Sequence, residues 1–315
     1  MSKKLLESKK LLGMTAGAAA GLALYALKIE PLLVEVTHTE LFLPRLPAAW
    51  DGLSVLFLSD PHVWEFGERE RRVVALCAEL EKPDLIVWGG DFLGNSRGVA
   101  PAVKLVTEIA QLFPETPAFA IWGNAEHKIR KERRAWLEAL LAEVGVCTLT
   151  NESLPLTLRG ATITLAGCDD PYYGHADLDA TFAELTPGRF TLLLAHSPQV
   201  AALAARAGVD LMLSGHTHGG QVRFPLLGPW KTQNPLSRLL DCGTFTPTRL
   251  TKILGYDPGG ELTTYISRGI GLAFVPYLPW LAPRFNCRPE VARLTLRIGF
   301  PLSPQPQPSP VIGRG

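Results

Sequence analysis

The stretch "VDLMLSGHTHGG" (residues 209–220) joins a short apolar run to two histidines that lie between glycines. An apolar run of this length, with no polar face, is typical of a strand that is buried on both sides. His216 and His218 lie one residue apart, and their imidazoles would be poor core residues but good metal ligands. The stretch therefore predicts a buried strand with a ligand site at its carboxyl end.

Four more apolar runs have the same form: "LSVLFLS" (53–59), "DLIVW" (84–88), "PAFAIW" (117–122) and "FTLLLA" (190–195). Helical patterns lie between some of them. After "EFGERER", apolar residues recur at helical spacing from Val73 to Leu80, and "KIRKERRAWLEALLAEVG" (128–145) is helical, with Gly145 as its stop. Buried strands that alternate with helices predict an α/β fold.

Polar residues follow these runs at their carboxyl ends. Because the carboxyl ends of neighbouring parallel strands meet at one edge of a sheet, we expect these side chains to converge. Their nitrogen and oxygen atoms suit a pair of divalent transition metals that share a carboxylate. The residues are Asp60 and His62 after the first run, Asp91 after the second, Asn124 after the third, His196 after the fourth, and His216 and His218 after the fifth.

Single members of this set have simpler explanations. Asp60 precedes Pro61 and could form a turn, "GGD" (89–91) is an ordinary loop, and His196 could be a hydrogen-bonded core histidine. The ordered set is more specific than any of its members.

The composition limits the other classes of function. The chain has 315 residues, 47% of them hydrophobic, which is enough for a large core, and a formal net charge of +1. A balanced charge does not predict nucleic-acid binding, and no pattern predicts a protein partner. Five widely spaced cysteines without a CxxC pair argue against a disulfide scaffold or a thiolate zinc site.

The two ends of the chain differ from the body. Residues 11–27, "LLGMTAGAAAGLALYAL", carry no charge and follow four lysines, so we interpret residues 1–30 as a membrane anchor or an uncleaved signal-like segment. A cleaved signal peptide and a helix packed on the body are the alternatives. The side of the membrane on which the body would lie stays open. Residues 301–315 are proline-rich and predict a disordered tail after a domain at 31–300.

The ordered motifs resemble those of the calcineurin-like metallophosphoesterase superfamily. The matching stretches are "SDPH" (59–62), "GGD" (89–91), "GNAEH" (123–127), "AHSP" (195–198) and "GHTHGGQ" (215–221). Two further stretches, "YISRGIG" (265–271) and "NCRPEV" (286–291), resemble the membrane-associated bacterial branch, which implies association with the bacterial inner membrane. The resemblance implies a four-layer sandwich in which helices flank two mixed β-sheets. It also implies a phosphoester or phosphoanhydride hydrolase in which a hydroxide that bridges two metals attacks phosphorus.

By this resemblance the seven residues divide between two metal ions. Asp60, His62 and His218 would bind one ion, Asn124, His196 and His216 would bind the other, and Asp91 would bridge both. Manganese is the leading candidate from the mixed oxygen and imidazole ligands, and iron or zinc would fit the same set.

The chain departs from the superfamily at Ala125. Most members have a histidine there that assists the leaving oxygen, and the loss of general acid catalysis costs roughly 10²–10⁴-fold with an alkoxide leaving group. A phosphoanhydride tolerates this loss because phosphate is a weaker base. In this respect the chain resembles the bacterial enzymes that hydrolyse UDP-2,3-diacylglucosamine to UMP and a lipid monophosphate in lipid A synthesis.

Three further residues could take part in phosphate hydrolysis or support the site. His127 could take over the acid role, beside Asp91 and Asn124 as the other expected catalytic residues. Glu126 is expected to support the loop. Arg268 could clamp a substrate phosphate or form a buried ion pair.

A lipid substrate and membrane association are also expected from residues 222–256, which combine leucines with basic residues. This segment could be a lid or interfacial surface, or it could pack in the core. Two rival functions remain at this point. One is an exported phosphodiesterase or phosphatase that acts on another phospholipid or cell-wall phosphate, and the other is a non-catalytic metal-dependent scaffold.

Overall fold

The computed structural model describes residues 3–95, 97–273 and 281–300. The predicted tail at 301–315 lies outside the described residues. All five apolar runs form strands, which confirms that part of the prediction. They are β2 (Ser54–Leu58), β3 (Leu85–Trp88), β4 (Ala118–Ala120), β8 (Thr191–Leu194) and β9 (Leu211–Ser214).

The first sheet has six strands in the order β1-β14-β2-β3-β4-β5. Strands β2 to β5 are parallel, whereas β14 pairs antiparallel with β2 and parallel with β1, so the sheet is mixed. Strand β14 alternates buried and partly buried residues, which is a weaker sequence signal than a fully apolar run. The remaining strands of this sheet are β1 (Glu35–Leu43), β5 (Val146–Thr148) and β14 (Glu290–Ile298).

The second sheet also has six strands, in the order β12-β13-β9-β8-β7-β6. Its four central strands are parallel and both edge strands are antiparallel. Its further strands are β6 (Glu152–Leu158), β7 (Ala161–Gly167), β12 (Gly243–Phe245) and β13 (Thr263–Ile266), and a separate hairpin consists of β10 (Arg223–Phe224) and β11 (Gly228–Pro229).

Helices cover the outer face of each sheet. In β2, Val55 and Phe57 face the second sheet, while Leu56 and Leu58 face the helices, because side chains alternate along a strand. Both faces are buried, so the strand reads as a continuous apolar run. The helices are α1 (Lys3–Leu24), α2 (Glu68–Ala78), α3 (Val99–Leu112), α4 (Lys131–Glu143), α5 (Leu178–Phe182), α6 (Ala201–Arg206) and α7 (Pro247–Leu254).

Two of these helices were predicted from the sequence, and they form as expected. Helix α2 buries Val73, Leu76 and Cys77 against the first sheet. Helix α4 ends before Gly145, whose φ of 82° is a left-handed conformation that favours glycine. The four layers of helix, sheet, sheet and helix confirm the predicted fold class.

The N-terminal segment forms α1 and then a π-helical turn, Tyr25–Ile29. Side chains 14–24 are exposed, and among the residues that the structure describes no helix combines the length and apolar character needed to cross a membrane.

Residues 222–256 divide into two parts. Leu240, Phe245 and Leu250 are buried in the core beside the second sheet, so the later part packs in the core. The earlier part, which includes β10 and β11, exposes most of its large apolar side chains.

Candidate metal centre

The seven predicted ligands lie at the carboxyl ends of strands from both sheets. Strands β2, β3 and β4 of the first sheet are followed by Asp60, His62, Asp91 and Asn124, and strands β8 and β9 of the second are followed by His196, His216 and His218. The site thus lies where the ends of the two sheets meet.

Asp60, His62 and His218 form the first group, and their ligand atoms all lie within 4.8 Å of one another. The two imidazoles are stacked, with ring centroids 5.1 Å apart, and their Nε2 atoms lie 3.2 Å apart. His218 Nε2 is 3.4 Å from Asp60 Oδ1. Two ring nitrogens and a carboxylate oxygen therefore converge on one point.

Asp91, His196 and His216 form the second group, within the same 4.8 Å. Asp91 Oδ2 lies 3.4 Å from His196 Nε2 and also 3.3 Å from His62 Nε2 of the first group. This carboxylate therefore lies between the two groups, as a bridging ligand would. Asn124 is buried and lines the same cleft.

Two of the histidines, His62 and His196, fit metal ions in their tautomers as well as in their positions. His196 Nδ1 lies 2.7 Å from the carbonyl oxygen of Gly89, and His62 Nδ1 lies 3.3 Å from that of Leu93. A nitrogen that faces a carbonyl carries the proton, so each Nε2 presents a lone pair to the site. His196 Nε2 is buried and has no hydrogen-bond partner among the described residues. These donors suit divalent cations.

The electrostatics of the groups reflect the two buried carboxylates, which favour positive charge at the site. Burial and then the nearby His196 lower the pKa of His216 to about 3, and burial and then His62 lower the pKa of His218. Burial lowers the pKa of His196, but Asp91 and Asp60 outweigh it and raise the pKa to about 10. For Asp91, burial raises the pKa, but the nearby His196 and His62 outweigh burial, so the pKa of Asp91 is lowered. For Asp60, burial outweighs the nearby histidines, so the pKa is raised. The cluster thus concentrates anionic charge that cations would neutralise.

The backbone is strained at the ligands. Five of the seven are non-glycine residues with φ between 43° and 67°, a left-handed conformation that costs energy for any residue with a Cβ and that concentrates at functional sites. Gly123 shows how closely the loops approach, because a Cβ there would clash with Asp91 Oδ1. The five residues are Asp60, His62, Asp91, His216 and His218.

Glu126 holds the loop that carries Asp91. Its carboxylate accepts hydrogen bonds from the backbone N–H groups of Asp91 at 3.0 Å, Gly123 at 3.0 Å and Leu93 at 3.2 Å. Burial, followed by the charge of Asp91, raises the pKa of Glu126, whereas the hydrogen bonds from Gly123 and Leu93 favour the ionised carboxylate. The placement agrees with the expected supporting role.

A cleft of about 390 Å³ opens onto both ligand groups. Ala125 lines it, and its backbone N–H donates to Asp91 Oδ1 at 2.6 Å. Lys128 lines it too and is the only lysine or arginine among the described lining residues. Its Nζ lies 5.7 Å from the centre of the Tyr173 ring.

Sequence reasoning missed Lys128, although the signal was within reach. Residues Glu126–Lys128 form a 3₁₀ turn, in which residues three apart lie on the same side. Lys128 N donates to Ala125 O at 3.1 Å, and both residues line the cleft. The lysine therefore brings a positive charge to the lining of the cleft close to Ala125.

His127 is not among the described residues that line the cleft. Its Nε2 lies 2.7 Å from Asp169 Oδ1, its Nδ1 lies 3.0 Å from Arg134 Nη1, and its ring stacks on that of His175 at 3.7 Å. The proposed acid role would require this cluster to rearrange.

Arg268 forms the ion pairs that were the alternative to a phosphate clamp. Its Nε lies 2.6 Å from Glu290 Oε2 and its Nη2 lies 2.9 Å from Glu35 Oε1. A second arginine, Arg284, was not singled out from the sequence. It is fully buried, donates to the carbonyls of Gly269 and Gly271, and lies 3.4 Å from His218 Nδ1. It therefore supports the loop behind His218.

Comparisons with known proteins agree with this geometry. The calcineurin-like phosphoesterase family model matches residues 53–220. The chain is 29% identical over 286 residues to the uncharacterized metallophosphoesterase YkuE of Bacillus subtilis (strain 168), covering 90% of this chain and 92% of that protein. It is 29% identical to the phosphodiesterase YaeI of Escherichia coli (strain K12), covering 77% and 81%.

A further relative is the transmembrane protein with metallophosphoesterase domain of Bos taurus, which is 33% identical and covers 61% of this chain and 46% of that protein. The family model covers more than half of the chain and includes all seven residues of the site. On this match and this geometry, the chain belongs to the calcineurin-like phosphoesterase family and is a metal-dependent phosphoesterase.

Proposed function

We propose that this enzyme is a membrane-associated hydrolase of a lipid-linked phosphoanhydride, with UDP-2,3-diacylglucosamine as the leading substrate and UMP and the lipid monophosphate as products. The observation that carries the proposal is the pairing of Ala125 with Lys128 on one side of the cleft. Alanine cannot transfer a proton, whereas a lysine can offset negative charge on a departing phosphate.

The residues divide the chemistry as follows. Asp60, His62 and His218 would hold one divalent cation, Asn124, His196 and His216 would hold the second, and Asp91 would contact both. Two such cations supply Lewis acidity at the phosphoryl oxygens and an activated water for in-line attack. Manganese is proposed from the mixed oxygen and imidazole donors, and iron and zinc suit the same donors.

The other residues orient this set. The Gly89 carbonyl fixes the ring of His196, and the N–H of Ala125 fixes one oxygen of Asp91 and leaves the other for the site. Lys128 would lie beside the leaving group, where its charge acts without proton transfer.

Membrane association is supported by the exposed side chains of α1 from residue 14 onward, which include Met14, Leu22 and Leu24. The bacterial inner membrane follows from the proposed substrate, whose hydrolysis takes place at the cytoplasmic face. The lysines in the first half of α1, ahead of its uncharged part, would instead favour an exported body.

A phosphodiesterase that acts on another phospholipid is the second candidate. It is favoured by the name of the Escherichia coli relative, a phosphodiesterase, and by those N-terminal lysines. A non-catalytic scaffold is the third candidate, and it is less well supported because all seven expected metal ligands are present.

The test uses the full chain, purified in mild detergent with Mn²⁺. UDP-2,3-diacylglucosamine is assayed by mass spectrometry beside alkyl and aryl phosphodiesters, with Asp91→Asn as the inactive control. UMP release that disappears in Asp91→Asn supports anhydride hydrolysis. Turnover of the diesters alone would overturn the substrate assignment and favour the phosphodiesterase.

A further inference from the structure

The β10–β11 hairpin presents an exposed apolar tip. Phe224 pairs with Gly228 across the hairpin, which leaves residues 225–227 in the loop. Phe224, Leu226, Leu227 and Trp230 are all exposed, and the rings of Phe224 and Trp230 form an edge-to-face pair at 5.7 Å. Contiguous exposed apolar groups of this kind mark interaction sites in soluble domains.

Leu226 is the most informative residue of the tip. Its side chain is fully exposed and its φ is 66°, in the left-handed region where glycine or asparagine is much less strained. The folded chain therefore gains no packing from this leucine and bears a conformational cost for it. Such a residue is explained by contact with something outside the folded chain.

The charge around the tip indicates what that contact is. Residues 222–240 contain no acidic residue. Lys231 and Arg238 are exposed beside the tip, whereas Arg223 is paired with the buried Asp241 at 2.5 Å. Apolar groups with a tryptophan and flanking cations match the interface of an anionic bilayer.

The base of the hairpin is joined to the end of the N-terminal helical segment. Phe285 N donates to Gln221 O at 2.8 Å, and Arg223 N donates to Phe285 O at 2.9 Å. Its neighbour Arg284 donates its backbone N–H to Ala26 O at 2.8 Å. The rings of Tyr25 and Phe285 pack at 6.5 Å. The hairpin and the exposed apolar helix therefore leave the body from one edge.

The same edge borders the metal cleft. Gln221 lies three residues after His218, and Gln233, which follows the hairpin, lines the cleft. A membrane or other surface that binds the hairpin tip would therefore lie near the opening of the metal cleft.

We propose that the tip of the β10–β11 hairpin inserts into the headgroup region of an anionic phospholipid bilayer, as a second contact beside α1, and so holds the metal cleft at the level of the lipid phosphates. Its functional consequence rests on the proposed membrane-lipid substrate. The insertion itself is a physical property that needs no turnover.

Quenching of tryptophan fluorescence tests the insertion. The full chain is bound to vesicles of brominated phosphatidylcholine with phosphatidylglycerol. For each variant, the tryptophan emission on these vesicles is compared with its emission on vesicles of the unbrominated lipids. Trp230→Phe should remove a large quenched component of the emission. Trp136→Phe is the matched control, because Trp136 is 48% exposed on α4, and it should leave the quenched component unchanged.

Flotation of the same vesicles gives a second measurement. Leu226→Gly with Trp230→Ala should weaken partition by at least about tenfold, since each apolar side chain of this size contributes about that factor. Trp136→Ala with Leu203→Ala should not. Leu226→Gly alone should also raise the melting temperature, which separates loss of binding from misfolding.

Three outcomes would overturn the proposal. The first is that Trp230 emission is unquenched when the protein is bound to vesicles. The second is that the two double variants bind vesicles equally well. The third is that the wild type sediments as a dimer and the hairpin double variant as a monomer, which would assign the tip to a second copy of the chain. The insertion test contains no substrate, so its result is independent of the proposed function. Insertion could be observed for an enzyme that hydrolyses only soluble diesters, and it could be absent from an enzyme that hydrolyses the lipid.

Discussion

At the scale of single residues, Ala125 and Lys128 both line the cleft, on the side where the proposed function places the leaving group. The alanine removes the proton donor that most of the superfamily has, and the lysine adds a charge that does not depend on proton transfer. Both lie on one face of a single 3₁₀ turn, so a change at either position alters the same region of the cleft.

Ala125→His should raise activity on alkyl phosphodiesters by about tenfold or more, because a histidine can protonate an alkoxide. Activity on a phosphoanhydride should change much less. The measurement is kcat/KM for an alkyl diester and for an anhydride under the same conditions. Equal increases for both would contradict the leaving-group argument.

Lys128→Ala should lower kcat/KM on anhydrides by about 10²-fold, in the range measured for loss of one electrostatic donor. Lys128→Arg should restore part of the loss. With a series of aryl diesters, the dependence of rate on leaving-group pKa should become steeper in Lys128→Ala.

Lys131→Ala, at the start of α4, is the control and should have no effect. A slope that stays unchanged while KM rises would place Lys128 on the retained phosphate instead of the leaving group.

At the scale of elements, the loops that follow the strands determine the site. Asp60, Asp91 and His218 all have strained, left-handed backbone in the loops that follow their strands. Such strain persists only where other contacts hold it. Glu126 provides those contacts for the Asp91 loop, because its two oxygens accept from three backbone N–H groups.

Glu126→Gln should therefore destabilise the fold by about 1–3 kcal/mol, since the amide nitrogen would face an N–H donor and leave it unsatisfied. Urea unfolding of the metal-free protein measures this change. Glu132→Gln, on the first turn of α4, is the control and should shift stability by only a few tenths of a kcal/mol. A Glu126→Gln protein as stable as the wild type would show that the three donors do not depend on a carboxylate.

At the scale of the whole molecule, the metal centre joins two sheets. Four ligands follow strands of the first sheet and three follow strands of the second, so bound cations would link the two halves of the sandwich. The sequence separation between Asp60 and His218 means that such a link constrains most of the domain.

Removal of metal by chelation should lower the melting temperature, because a cation at one hundred times its dissociation constant stabilises the folded state by about 2.7 kcal/mol. Asp91→Asn should show a smaller difference between metal-loaded and chelated protein, since it weakens the ligand shared by both groups. Differential scanning calorimetry with Mn²⁺ and with EDTA measures both effects, and metal analysis gives the stoichiometry. An equal shift in both proteins would remove Asp91 from the bridging position.

The sequence by itself determined the five central strands, two helices and the order of the seven ligands. Strands that are buried on both faces are apolar throughout, and the ligands follow them directly, so local pattern was sufficient. The edge strands β1, β6 and β12 gave no such signal, because partly exposed strands mix polar and apolar residues.

The tertiary structure alone decided which groups meet. Arg268 contacts Glu35, which is 233 positions away in the sequence, and His127 contacts Asp169, which is 42 positions away. Local sequence patterns therefore could not predict either partner. Packing of the two sheets likewise placed Asp91 between the two ligand groups. The tip of the β10–β11 hairpin stayed exposed. These contacts depend on long-range packing, which a periodicity of two or 3.6 residues does not encode.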